Sequence, residues 1–347
     1  MLVISGGRPL GHIAAGGVPV VQLPPLLVAG RDFSRPLDAA GRPADAALMT
    51  VRGDALVAAL ETFAPDVLVT ETWPLGRRRL AAEFAAGIAA ARAARPGLRL
   101  LASVRDIPEP PSKPARIAEA MAHLWAFDGV LCHGDRSLFS LEAIWPLAPD
   151  GPPLHHTGYV ARPADVDAPG DPTGEVLVAV GGGDLGPRLL EMAAAASSHS
   201  RRPWRLRVGG PEAATDAAAL AGRYRSTNLA VEPAAADYRE RLARAAVSVS
   251  LAGYNTVTDL APLGTPALIV PDEMGGEREQ AIRAEALKGF AGVEVCGLQE
   301  LSPEGLAVRV ERLAEGPRRP PLPLRLDGAE RSAALILEMA KQAQAGA

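Results

Sequence analysis

The stretch S-V-S-L-A-G-Y-N-T-V-T-D-L-A-P-L-G-T-P-A-L-I-V-P (248–271), followed by E-R-E-Q-A-I-R (277–283), decides how the whole chain is read. Val247 to Leu251 alternates like a short strand that ends at Ala252-Gly253. Asn255 or Thr256 can cap a helix whose apolar residues Val257, Leu260 and Leu263 share one face, and Gly264 stops it. Ala267 to Val270 is a second buried strand, which makes the segment a βαβ unit of a parallel sheet. Gly253 lets the backbone come close to a ligand, and the free N–H groups and positive dipole end of a helix starting near Asn255 favour a diphosphate. Asp259, one turn inside, can accept hydrogen bonds from ribose hydroxyls, while Arg278, Glu279 and Gln280 open the next helix at the same carboxyl edge. An ordinary βαβ turn with no ligand would show the same glycine and the same helix.

The run as a whole resembles the nucleotide-sugar site of bacterial glycosyltransferases related to the peptidoglycan N-acetylglucosaminyltransferase. The likeness rests on G-Y-N-T-V (253–257), G-T-P-A-L-I-V-P (264–271) and R-E-Q-A-I-R-A-E (278–285), with weaker matches at V-R-D-I (104–107) and T-G-Y-V (157–160). It implies an α/β chain of the GT-B type, two Rossmann-like doubly wound domains, and donor binding by the second. The residues read as cofactor-binding are Gly181, Gly182 and Gly183, which follow a buried strand and precede a helix but could serve only tight packing there, with Ala252, Gly253, Tyr254, Asn255, Thr256, Asp259, Arg278, Glu279 and Gln280. Among them Glu279 and Gln280 contact sugar hydroxyls in the related enzymes. Family members begin with a strand, a glycine-rich loop and a helix before the strand that Leu2 to Ser5 matches, so the first domain is expected to lack its first βα unit.

The 347 residues exceed the usual single-domain size, and 48% hydrophobic content suffices for two cores. Composition divides the chain into a first domain (1–160), a linker dense in Pro, Gly and Asp (161–174), a second domain (175–316), and a crossover segment with a final helix (317–347). The formal net charge of -4 and a pI near 5.9, without long basic runs, argue against nucleic acid as a partner. Cys132 and Cys296 stand far apart without ligand spacing, so both are read as buried core thiols. Without an apolar run long enough to span a bilayer or a secretory leader, the chain is read as cytoplasmic; the resemblance leaves room for peripheral membrane contact. Abundant Ala, Arg, Gly and Pro with few Lys suggests a GC-rich bacterial genome.

Inside the first domain, G-G-R-P-L-G-H (6–12) could pass for a phosphate loop, but the interval to Val18 reads as too short for the crossover that parallel strands require. Residues 31–49 read as loop, and a helix is expected from Arg52 to Phe63. A transferase needs a base near the acceptor hydroxyl, and the catalytic candidates are Glu71, Asp106 and His12, with His133 also weighed. Glu71 and Asp106 end strands, yet each could instead be a partner of Arg77 or Arg105. No cluster of metal-ligating residues stands at a recognisable spacing, so no metal and no cofactor beyond the UDP-sugar donor are expected. The expected function is inverting, metal-independent transfer of a sugar, hexosyl or N-acetylhexosaminyl, from a UDP-sugar to a saccharide, lipid-linked or protein acceptor. A UDP-sugar hydrolase or epimerase, or a catalytically silent sugar-nucleotide-binding protein, are the alternatives. An uncovered strand edge in the first domain would favour a homodimer.

Overall fold

The structure is a computed structural model and describes residues 1–9, 16–28, 35–111, 113–162, 173–180, 185–273 and 278–345. The chain divides into two compact units. Unit 1 comprises Met1–His133, Leu141–Thr157 and Ala329–Ala347, and unit 2 comprises Gly134–Ser140 and Gly158–Gly328.

In unit 1, β1 (Val3–Ser5) pairs in parallel with β2 (Val20–Gln22). This corrects the expectation that the interval was too short for a parallel connection; residues 6–19 bridge two strands of only three residues each. Helix α1 (Ala46–Phe63) follows, starting six residues earlier than its apolar spacing suggested, because the Asp45 side chain accepts from Leu48 N and sets the N-cap. Strand β3 (Val67–Glu71), helix α2 (Ala81–Ala94), strand β4 (Arg99–Arg105), helix α3 (Pro114–Leu124), strand β5 (Gly129–His133), the short α4 (Leu141–Ile144) and β6 (Leu154–His156) complete the alternation. β3 to β6 form one parallel sheet in chain order, separate from the β1–β2 ladder.

The two ladders are covered from one side by the same helix pair. Leu56 and Leu60 of α1 and Ala91 of α2 pack with Ile4, Val21 and Leu68 from β1, β2 and β3. Fully buried Arg52 in α1 donates to Glu83 of α2 (Nε–Oε2 3.0 Å) and to Gly6 O (3.1 Å) at the end of β1. A cation there is tolerable because a carboxylate and carbonyls satisfy it.

Unit 2 is built from β7 (Val176–Ala179), α5 (Leu185–Ala196), β8 (Trp204–Val208), α6 (Ala213–Arg223), β9 (Leu229–Pro233), α7 (Tyr238–Arg244), β10 (Val247–Ser250), α8 (Tyr254–Leu260), β11 (Ala267–Ile269), α9 (Glu279–Leu287), β12 (Val293–Val295) and α10 (Pro303–Glu315). Its six strands are all parallel in the order β12-β11-β10-β7-β8-β9. Both faces are covered; β7 and β11 are continuous apolar runs, whereas β8, β10 and β12 alternate apolar residues with Arg, Ser or Glu. Val247 and Val249 meet α5, α6 and α10 on one face, whereas Leu177, Ala267 and Ile269 meet α7, α8 and α9 on the other. The last helix, α11 (Gly328–Ala345), falls largely in unit 1, where Gln344 Nε2 donates to Asp66 Oδ2 (2.7 Å).

Candidate donor site at the switch point of unit 2

The strand order reverses between β7 and β10, which are hydrogen-bonded neighbours reached by opposite windings of the chain. In a doubly wound sheet the crevice outside the carboxyl ends of such a pair is where ligands bind. The carboxyl end of β10 is the glycine turn Leu251-Ala252-Gly253. That of β7 leads into Gly181, Gly182 and Gly183, which lie outside the described residues.

Gly253 is the N-cap of α8 (φ -66°, ψ 150°) and no side chain caps the helix. The expectation of a cap at Asn255 or Thr256 is therefore corrected: the helix starts at Tyr254, within the turn those residues were to close. Its first N–H groups have no intrahelical acceptors by geometry. Among the described residues a Cβ added at Gly253 would meet Thr256 Oγ1 at 3.6 Å, an ordinary contact, and the backbone angle suits any residue. Neither the backbone angle nor packing among the described residues requires glycine here. Gly264 differs, since a Cβ there would lie 3.0 Å from Arg319 O.

The turn is held by α9. Ala252 N donates to Gln280 Oε1 (3.0 Å), which also accepts from Asp272 N (3.2 Å) at the end of β11. The Ala252 carbonyl accepts from Arg283 Nη1 (2.7 Å), and Arg283 Nη2 donates to Glu279 Oε1 (2.7 Å). Arg283 is completely buried. Sequence reasoning missed it, although its place four residues after Glu279 on a helix was a visible signal. Glu279 and Gln280 are thus brought to the turn, while Arg278, the exposed N-cap of α9, makes no side-chain cap bond. Asn255 is exposed and Thr256 half-buried beside Gly253. Tyr254 is buried, and its hydroxyl accepts from Val160 N (2.8 Å).

Asp259 is engaged within the protein: Oδ1 lies 3.2 Å from Arg239 Nε, and only 13% of the side chain is exposed. Burial raises its pKa, opposed by Arg239 and Arg162. The same burial, with the charge of Asp259 nearby, pushes the Tyr238 phenol up.

In unit 1, Glu71 ends β3 exposed and pairs with Arg77 (2.7 Å). Asp106 is wholly buried, with Oδ1 accepting from Ile107 N (2.8 Å), and His12 lies outside the described residues. The His133 ring is held between Ser103 Oγ (2.8 Å) and Thr157 Oγ1 (2.9 Å), and burial lowers its pKa. Glu71 is the exposed one of these carboxylates, on the strand next to Ser103. Cys132 and Cys296 are free and buried, with burial pushing their thiols up to about 12 and about 11. Among the described residues no group of three or more His, Cys, Asp or Glu could hold a metal ion, and no helix is long and apolar enough to cross a membrane.

The two units and their parallel sheets have the GT-B fold. Residues 210–331, which contain the glycine turn and α9, match the model of the Glycosyltransferase family 28 C-terminal domain. The chain is 33% identical over 175 residues to the UDP-N-acetylglucosamine--N-acetylmuramyl-(pentapeptide) pyrophosphoryl-undecaprenol N-acetylglucosamine transferase of Mesorhizobium japonicum, covering 47% of this chain and 46% of that protein. It is 33% identical over 208 residues to the enzyme of the same name from Methylobacterium sp., covering 53% and 55%. The chain thus spans about half the length of these curated relatives. Among solved structures, MurG of Acinetobacter baumannii superposes with a TM-score of 0.51 at 17% identity, covering 100% of this chain and 85% of that one. The glycosyltransferase VinC, in complex with dTDP, gives 0.57 at 14% identity, covering 98% and 92%.

Proposed function

We propose that this chain is a transferase that moves a sugar from a UDP-linked donor to an acceptor hydroxyl with inversion, the donor being held by unit 2. The observation that carries the reading is Gly253, a glycine at the switch point that neither its backbone angle nor packing among the described residues demands. A diphosphate seated against the α8 N–H groups would be stabilised as it leaves, since preorganised donors aimed at developing charge lower the barrier. The relatives' name supports UDP-N-acetylglucosamine as the donor and a pyrophosphoryl-undecaprenol acceptor. In this reading Glu279 would accept from a sugar hydroxyl, Gln280, whose Oε1 already accepts from Ala252 N and Asp272 N, would donate through its Nε2, and Asp259 would take the ribose in competition with Arg239. Exposed Glu71 is the candidate base of unit 1. The reaction would run without a metal ion and on the cytoplasmic side, where nucleotide sugars are made.

Product analysis with UDP-N-acetylglucosamine tests this, with and without an undecaprenyl-pyrophosphoryl acceptor and with saturating chelator. The reading requires acceptor-dependent release of UDP that survives the chelator. Free sugar without acceptor would mark a hydrolase. Rescue by magnesium would overturn metal independence.

A further inference from the structure

The chain passes between its units after His133, Ser140, Thr157 and Gly328. On the unit 2 side of these crossings, segments far apart in sequence are stitched together. Tyr159 N donates to Arg325 O (2.8 Å), Gly328 N donates to Tyr159 O (2.9 Å), and Val160 bridges Asp327 in antiparallel fashion. Arg325 N in turn donates to Asp135 Oδ2 (2.9 Å) in the segment Gly134–Ser140. The approach is close enough that a Cβ on Gly328 would overlap the Gly158 carbonyl oxygen, and Gly158 itself sits at φ +90°. One side chain from the donor-site helix reaches this knot. Tyr254, the first residue of α8, packs its ring against Tyr159 (centroids 5.3 Å apart) and accepts from Val160 N (2.8 Å).

We infer that Tyr254 is a positioning residue that couples occupancy of the donor site to the segments linking the two units. The inference rests on the donor reading above. Because Tyr254 directly follows Gly253, a ligand that orders the turn also orders the hydroxyl that holds Val160. Linkage makes this reciprocal: what fixes the knot also favours the ligand-bound turn. The Val160 amide is a built-in reporter, since its acceptor is the Tyr254 hydroxyl itself.

Residue-resolved amide exchange on the full chain, with and without UDP, tests the inference alongside calorimetry on wild type and Tyr254→Phe. The phenylalanine keeps the ring and removes the hydroxyl that accepts from Val160 N, and circular dichroism verifies its fold. UDP is expected to slow exchange at Val160 about fivefold or more in the wild type; in Tyr254→Phe that amide exchanges fast whether or not UDP is present, and the UDP dissociation constant rises about fivefold. A purely structural tyrosine would change the basal rate but leave the UDP-dependent increment in place. That result overturns the inference, as does unchanged exchange at Val160 in a wild type that binds UDP. A wild type that shows no UDP binding removes the donor reading together with the inference.

Discussion

Gly253 is where fold and function separate most cleanly at the scale of single residues. Because its φ of -66° is open to any amino acid and, among the described residues, a Cβ would meet Thr256 Oγ1 at 3.6 Å, Gly253→Ala should cost no more than the roughly 1 kcal/mol typical of alanine at an N-cap. It should weaken UDP by roughly tenfold or more, through loss of close backbone approach. Calorimetry beside a melting curve decides, and unchanged affinity would assign the glycine no ligand role. His133 supplies a pH prediction. Burial lowers its folded pKa beneath the unfolded value of about 6.5, so above that pH neither state is charged and its contribution is intact. As pH falls through that value the unfolded chain takes up the proton first, and stability is lost down to the folded pKa. His133→Gln, able to keep partners at Ser103 and Thr157, should flatten the stability profile below about pH 6.5. Denaturant titrations at several pH values would show an undiminished slope if the histidine were irrelevant.

At the scale of elements, β10, α8 and β11 were legible in the sequence because local signals agree there: alternation, a glycine turn, a helical apolar face and a second buried run. The turn's support was less legible. Ala252 is clamped through Gln280 and Arg283, 28 and 31 residues onward, and no local pattern encodes such a pairing. The proline-rich segment 317–323 read only as a crossing, yet it closes two helices. Arg318 donates to Ala243 O (2.7 Å) at the end of α7 and to Thr265 Oγ1 (2.9 Å) before β11, and Arg319 donates to Leu260 O at the end of α8 and to Thr265 O (2.8 Å). Cations at helix carboxyl ends oppose the dipole there. Burial nevertheless lowers Arg319 to about 10, with Arg318 adding to the effect. Arg319→Met would strip buried carbonyls of their donor, and we expect a loss of roughly 1 to 3 kcal/mol in urea unfolding. A change within experimental error would mean the carbonyls find other partners.

For the whole molecule, composition and alternation conveyed two α/β halves, and the parallel order of unit 2 accords with that reading. Segment Gly134–Ser140 could not be assigned this way, because it joins unit 2 through Asp135 and Arg325, separated by 190 residues. Nor could the parallel β1–β2 ladder, whose strands are too short to announce a partner. The account as a whole stands on the claim that a UDP-linked donor occupies the switch point of unit 2. Hydrogen–deuterium exchange of the full chain with saturating UDP tests that claim most directly. It predicts new protection in the peptides spanning 251–259 and 278–283, the glycine turn with α8 and the start of α9. UDP binding that leaves those peptides unchanged, or protects only peptides of unit 1, would contradict it.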